Sequence, residues 1–506
     1  MGDADTVKPH PSFSGTFHWT ISSSPRALKP ATQTATTNSL TFSSPLKTSS
    51  AEAINNGSSR PHTNRSNTLQ TENGGLPQKQ KLTVMGQLKA ALMTWLNCLL
   101  IFVPVGIATH YAGVNPTIVF VMNFIAIIPL AGLLSNGTEQ VSLYFGEVIG
   151  GLLNATFGNA VELIVAVLAL IKREVVIVQT SLIGSILSNL LLVLGGAFLA
   201  GGFNRIEQNF NTTVAQTAAS LLTVCCASLI VPTAFHMAST AGDAGITQLS
   251  RGTAVILLVV YASYLVFQLK THEHLYSAES EKTPKGGVWR GEKPASLAPG
   301  TPTGTAPSIA PSTGTAEEHQ PHLQLQQSKT EADEKEEPEL TLWFAITLLV
   351  ISTVLVALCA ECLVASIDHL VSSAGISRVF VGLILLPIVG NAAEHATAVT
   401  VAMKDKMDLS IAVAVGSSMQ IALLVIPLIV ILGWILGIDE MNLYFDGFQV
   451  MILFVTVLLV NYLIQDGKSN YLEGNLLLAL YMIIALASWF YPSDGTLAQA
   501  VEKTTG

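Results

Sequence analysis

The chain runs to 506 residues, half of them hydrophobic and 12% charged, with a formal net charge of -9 and a mean hydropathy of +0.50. Soluble domains carry about twice that charged fraction, so lipid is the folding solvent for most of the chain, and the acidic balance excludes a basic nucleic-acid surface. The five cysteines, Cys98, Cys225, Cys226, Cys359 and Cys362, all lie in apolar runs and make poor material for a disulfide framework. Cys359-Ala-Glu-Cys362 has the spacing of a redox or zinc pair, but no second pair completes a metal site, and it reads as one helical turn.

Residues 1–84 are rich in Ser, Thr, Asn and Pro with almost no apolar periodicity, and read as a disordered cytosolic tail. No apolar run opens the chain, so no cleaved signal peptide is expected. From about Met85 the character changes. A spanning helix needs roughly 20 apolar residues, and eleven stretches qualify: 91–110, 116–135, 144–171, 175–200, 213–238, 252–270, 341–363, 377–403, 409–437, 447–465 and 472–491. The first helix, in 85–112, stands alone. Helices 2–6 fill 113–270, helices 7–11 fill 341–492, and 493–506 form a C-terminal tail. Residues 271–340 are a linker holding an acidic stretch, Glu331 to Glu339, with six carboxylates against Lys335. A solvated linker and a regulatory or cation-attracting acidic helix are both open readings.

Orientation follows from Lys and Arg in the loops. Alternating from a cytosolic N-terminus puts Lys79, Lys81, Lys89, Arg205, the basic residues of the linker, Lys404, Lys406 and Lys468 in the cytosol. Lys172, Arg173, Arg251, Arg378 and Lys503 fall opposite. The N-terminus and the linker are then cytosolic and the C-terminus lumenal, with the sequons at Asn56 and Asn64 on the cytosolic side.

An internal repeat is the most informative feature. Gly158-Asn-Ala-Val-Glu162 matches Gly390-Asn-Ala-Ala-Glu394 at an offset of 232 (394 − 162). The same offset aligns Lys172 with Lys404, Gly184-Ser185 with Gly416-Ser417, and Leu191-Leu-Val193 with Leu423-Leu-Val425, without a gap. A duplicated unit of five helices inverts its second copy through the membrane. The predicted fold is therefore an all-α polytopic membrane protein of about eleven helices, one extra N-terminal helix plus two inverted five-helix repeats. Secondary transporters of this plan bind substrate near the midplane where the repeats meet.

Glu162 and Glu394 sit well inside spans 3 and 8. A carboxylate at bilayer depth costs at least about 2.5 kcal/mol, and it usually faces a cavity and has a function. Asn159 and Asn391 precede them by three residues, on the same helical face. Inversion brings the two motifs face to face, offering two carboxylates and two amide oxygens. Hard oxygen donors with two negative charges suit Ca2+ or Mn2+. Ser185 and Ser417, with carbonyls near Gly184 and Gly416, extend the shell, and the small Gly158 and Gly390 let helices approach. Two carboxylates sharing a dehydrated site do not both stay ionised without a cation, so protons replace a departing cation. Helix glue is the competing structural reading, and it weakens because the motif occurs twice at repeat-related positions.

Other candidates carry two readings each. Glu139 and Glu361 line an access or proton path, or serve an interfacial structural role. Gln179, Ser188, Asn189 and Gln420, on the helices after the motifs, are polar lining or packing. His395 tunes Glu394 or packs between helices, and Asn154 caps or lines the cavity.

Gly150-Gly-Leu-Leu-Asn-Ala-Thr-Phe157, Gly158-Asn-Ala-Val-Glu-Leu-Ile164 and Gly390-Asn-Ala-Ala-Glu-His395 resemble the two signature repeats of the CAX family, vacuolar Ca2+/H+ exchangers of the calcium/cation antiporter superfamily. The chain is most similar to fungal members, over about residues 85–495. The resemblance implies eleven helices, a cation site at Glu162 and Glu394, a path formed with Asn159, Asn391 and nearby carbonyls, and Ca2+ import into an acidic vacuole against H+. It leaves Mn2+ open as a further cargo and implies no cofactor beyond the transported Ca2+ and H+. The long tail and linker depart from the pattern and bear on regulation. A Na+-coupled exchanger is the rival reading; the absence of an Asp beside Gly184-Ser185 or Gly416-Ser417 favours protons. A channel fits an inverted repeat poorly, and the sequence carries no His-Glu-x-x-His or Gly-x-Ser-x-Gly motif of an enzyme.

Overall fold

The computed structural model describes residues 83–238, 242–276, 282 and 338–492. The expected disordered tail, most of the linker with its acidic stretch up to Glu337, the two sequons and the C-terminal tail from 493 lie outside the described residues.

Two helices open the described chain, α1 (Val84–Leu92) and α2 (Trp95–Tyr111), and they meet at 94°. Thr94 is extended (ψ 141°), which stops α1 and turns the chain into the expected first span. Helix α3 (Pro116–Phe157) starts with Pro at its first position, where a missing N–H costs nothing. The Asn115 side chain caps it by accepting from Thr117 N at 2.9 Å. It then runs much further than the expected 116–135. The polar run Asn136 to Gln140 reads as a loop in the sequence but is helical, because its side chains have partners. Thr138 Oγ1 donates to the Leu134 carbonyl, and Gln140 Oε1 accepts from Glu339 N and Leu340 N. The break falls instead at Gly146, whose φ of 73° favours glycine. The expected third span, 144–171, is thus the end of α3 plus a separate helix, α4 (Ala160–Ile171).

Helix α5 (Val175–Gly202) contains a π turn at Ser188–Val193. Helices α6 (Thr212–Ala238) and α7 (Gly242–Val266, continued by a π turn at Phe267–Thr271) complete the first half. The second half comprises α8 (Leu342–Ala365), α9 (Ile367–Ala374), α10 (Arg378–Gly390), α11 (Ala392–Met403), α12 (Met407–Leu436), α13 (Gly447–Leu463) and α14 (Tyr471–Phe490). Helices α10 and α11 bend by 56° at the second motif. By length and composition, seven helices among the described residues can cross a bilayer, and the two bent pairs raise that to nine. The remaining two of the eleven expected crossings fall on the shorter α4 and α13.

The repeat is visible residue by residue. Helices α4 and α11 start and stop 232 residues apart (392 − 160 and 403 − 171). Both end in the same turn. Arg173 and Asp405 take left-handed φ values of 59° and 64°. Glu174 N reaches back to Ala169 O, and Lys406 N to Val401 O, the six-to-one bond of a Schellman cap. Helix α12 has its own π turn, Ile421–Val425, at the repeat-related place. Such one-turn bulges are frequent at functional sites.

The connecting segments gather at two polar ends. At one end, Arg205 pairs with Asp405 (3.3 Å) and Lys468 with Glu207 (2.8 Å). Strands β1 (Gln208–Asn209) and β2 (Lys468–Ser469) pair antiparallel there, and Asn211 Nδ2 reaches the Leu275 carbonyl at the start of the linker. At the other end, Arg378 bridges Glu174 (2.7 Å) and Asp368 (2.6 Å), and Arg251 pairs with Asp439 (2.6 Å). This grouping matches the alternation required by the loop count.

Between the ends, glycines bring helix backbones together. A Cβ on Gly195 would lie 2.9 Å from Leu477 Cβ, and one on Gly474 would strike the backbone of Leu199. The α5–α14 seam therefore has no room for a side chain at either position. Gly474→Val is expected to destabilise the fold by about 1–3 kcal/mol through overpacking. Thermal unfolding of the detergent-purified protein checks this; an unchanged melting temperature would contradict the packing described.

Candidate cation site

Asn159 and Asn391 occupy the breaks in the two motif spans. Each is the residue before a half-helix, with φ/ψ of -104°/29° and -85°/16°. Asparagine is a favoured N-cap, yet neither side chain caps its own helix. Both cross to the opposite repeat. Asn159 Nδ2 donates to Gln420 Oε1, and Asn159 Oδ1 accepts from Ser417 Oγ at 2.7 Å. Asn391 Nδ2 donates to the Ser185 carbonyl at 3.2 Å. Asn189 Nδ2 adds a bond to Ser417 Oγ at 3.0 Å. Each motif is thereby fixed by the helix that follows the other motif.

Glu162 and Glu394 lie in the first turns of α4 and α11. Unsatisfied N–H groups make that end of a helix electropositive, which favours a carboxylate. Glu162 is 6% exposed and Glu394 is half-buried. The role of Gly390 is spatial: a Cβ there would lie 2.9 Å from Glu162 Oε1. A small cavity beside Glu162, with room for about one water, is bounded by Val165, Ser181, Ser185, Leu386 and Gly390. Glu162 thus meets the second repeat directly.

The buried oxygens around these residues are under-satisfied. Among the described residues, Glu162 Oε1 and Oε2, Glu394 Oε2, Asn391 Oδ1, Asn189 Oδ1 and Ser188 Oγ have no hydrogen-bond partner. Leaving a buried polar group unpaired costs about 1–3 kcal/mol each, and more for a charge. Oxygen donors kept dry and unpaired in the middle of helices match what a hard cation requires. Ca2+ takes six to eight such oxygens.

The other expected residues divide. Ser185, Ser417, Gln420 and Asn189 belong to the network just described. His395 Nδ1 donates to the Asn391 carbonyl, so its ring is tied to the break rather than to Glu394. Its Nε2 is buried and unpaired among the described residues. Gly158 is the C-cap of α3, its N–H donating to the Asn154 carbonyl at 2.8 Å. Gln179, near the start of α5, turns to the 437–446 connection instead of the cavity: its Nε2 donates to the carbonyls of Asn442 and Tyr444. Glu139, Glu361 and Asn154 are exposed and outside the cavity, and the Glu361 carbonyl accepts from Lys172 Nζ at 3.1 Å. Ser181 was not anticipated. Its place one turn before Ser185 on α5 is the signal that would have found it.

Known proteins bear on this geometry. The model of the "Sodium/calcium exchanger protein" family matches residues 115–270 and again 344–490, one match per repeat. A "Vacuolar calcium ion transporter" of Schizosaccharomyces pombe is 45% identical over 420 residues, covering 82% of this chain and 90% of that protein. A "Ca(2+)/H(+) antiporter" of Synechocystis is 42% identical over 399 residues, covering 78% of this chain and 97% of the relative. The solved structure of native YfkE superposes with a TM-score of 0.61 at 30% identity, over 79% of this chain and all of the other. With two family matches that coincide with its two repeats, the chain belongs to the sodium/calcium exchanger protein family.

Proposed function

We propose that this protein is a secondary active antiporter that moves Ca2+ into an acidic vacuole in exchange for H+. The observation that carries the reading is the pair of repeat-related glutamates set at helix breaks, Glu162 lying against Gly390 of the second repeat, with unpaired buried oxygens on both. Relatives named as vacuolar calcium ion transporters and as Ca2+/H+ antiporters, at 42–45% identity, support cargo, counter-ion and membrane.

In this mechanism Glu162 and Glu394 hold either the cation or protons. The carboxylates of both, with Asn391 Oδ1 and nearby main-chain oxygens, form the shell for Ca2+, and Mn2+ fits the same hard-donor set. Asn159, Ser417, Gln420 and Asn189 position the shell. When the cation leaves, protons neutralise the pair, because two dehydrated carboxylates side by side repel. Rocking of one repeat against the other then carries the neutralised site across. The end bearing Arg205, Lys404, Lys406, Lys468 and the linker is cytosolic in this reading, which puts the C-terminus in the lumen.

Two outcomes test the reading. Vesicles with an acidic interior, reconstituted with wild type, are expected to accumulate Ca2+ until a protonophore is added. Glu162→Gln and Glu394→Gln are each expected to lose at least about 100-fold in that uptake, since one buried charge less costs several kcal/mol of cation binding. Uptake that survives either substitution, or that follows Na+ instead of H+, contradicts the proposal. Gly390→Ala and Gly416→Ala form a second comparison. An added methyl at Gly390 presses on Glu162 Oε1, whereas one at Gly416 meets nothing within 4 Å. Gly390→Ala is expected to weaken Ca2+ affinity about tenfold, the scale of a lost ~1–2 kcal/mol hydrogen-bond-sized interaction, with Gly416→Ala close to wild type. Equal affinities in the two variants would remove Gly390 from the site.

A further inference from the structure

A second cavity lies away from the glutamates, at the polar end that carries the linker. It measures about 340 Å3, within the size range of small-ligand sites. Its walls have two chemistries. Gly196, Leu199, Ala200 and Phe203, from the last turns of α5, and Met403, from the end of α11, are apolar; Asn204 and Arg205 are polar. Phe203 and Met403 are 57% and 51% exposed, so the apolar side opens outward instead of closing into the core. The cavity lies on the seam between the repeats, where Arg205 of the first half pairs with Asp405 of the second.

The charge balance of the polar side is positive. Arg205, paired with Asp405, lines the cavity, and two further positive charges, Lys404 and Lys406, lie within three residues of the lining Met403. Lys404 and Lys406 are exposed and follow Met403 directly. The neighbouring carboxylates are engaged elsewhere: Glu207 pairs with Lys468, and Asp408 accepts from Asn211 N at 2.6 Å. A surplus of positive charge at the mouth and apolar residues within make a poor entrance for a divalent cation. They suit an amphiphile with a negative head and a hydrocarbon tail.

We propose that this cavity binds one anionic phospholipid of the linker-side leaflet. The acyl chain lies against Gly196, Leu199, Ala200, Phe203 and Met403, and the phosphate faces Asn204, Arg205, Lys404 and Lys406. A lipid seated there touches both repeats at once and braces the Arg205–Asp405 pair. Basic pockets between helices at the cytoplasmic side recognise lipid headgroups by this chemistry, with each Lys near the surface contributing about fivefold in affinity.

The test uses the full-length protein in detergent, with retained lipid counted by native mass spectrometry after incubation with phosphatidylserine, phosphatidylcholine or inorganic phosphate. Wild type is expected to keep one phosphatidylserine in preference to phosphatidylcholine, and millimolar inorganic phosphate is expected not to displace it. Lys404→Gln with Lys406→Gln, both surface changes, is expected to lower that preference by at least about fivefold. Ala200→Phe, which fills the apolar side, is expected to abolish retention while the protein still unfolds in one sharp transition. Equal retention of the two lipids by wild type overturns the proposal. So does wild-type retention in either variant, or displacement by inorganic phosphate, which would make the pocket a free-anion site.

Discussion

A carboxylate in hydrocarbon is unfavourable by at least a few kcal/mol, and this chain carries two of them at its centre. The surrounding structure is organised so that they can exist there. Each sits in the first turn of a half-helix, where backbone N–H groups supply partial positive charge without a mobile counter-ion. Each break that creates a half-helix is held by an asparagine whose side chain is tied to the other repeat. Gly390 leaves the volume that the Glu162 carboxylate needs. Among the described residues the carboxylate oxygens lack a full set of hydrogen bonds, and in the proposed mechanism a cation or protons fill that deficit.

The two halves are alike in backbone and unlike in bonding. Asn159 is held by two side chains, Ser417 and Gln420, whereas Asn391 is held by one main-chain carbonyl, Ser185. The position related to Gln420 is Ser188, too short to make the equivalent bond. Glu162 is almost closed off, while Glu394 keeps some exposure. An inverted repeat with unequal environments represents one of two conformers, and exchanging those environments between the halves generates the opposite-facing one. The inter-repeat ion pairs at both ends are the contacts that such an exchange must loosen. Arg205–Asp405 is the most buried of them, whereas in Lys468–Glu207 both partners are exposed.

Much of this was legible in the sequence because membrane folding leaves little latitude. Long apolar runs give the helices, and a gapless offset of 232 gives the duplication. The structure repeats that offset down to the left-handed turns at Arg173 and Asp405. The errors have physical causes. The polar residues from Asn136 to Gln140 imitate a loop, but they are helical: Thr138 bonds back to the Leu134 carbonyl, and Gln140 is held by the 339–340 segment, a tertiary fact invisible locally. Gln179 resembles site lining by helix position, yet its amide reaches a connection more than 260 residues away in sequence. Glu139 and Glu361, read as access-path or interfacial carboxylates, are both exposed and stand outside the cavity beside Glu162. The motif glutamates were legible because they recur at the repeat offset of 232; Glu139 and Glu361 do not recur at that offset and carried no such signal.

The most direct measurement is the number of protons released when Ca2+ binds to the purified protein, by titration calorimetry in buffers of differing ionisation enthalpy across pH 5–8. If cation and protons compete for Glu162 and Glu394, Ca2+ binding expels protons and its affinity falls as the pH falls. Ca2+ binding with no proton release and an affinity independent of pH would show that the two ions do not share these carboxylates, and the account of exchange would fail.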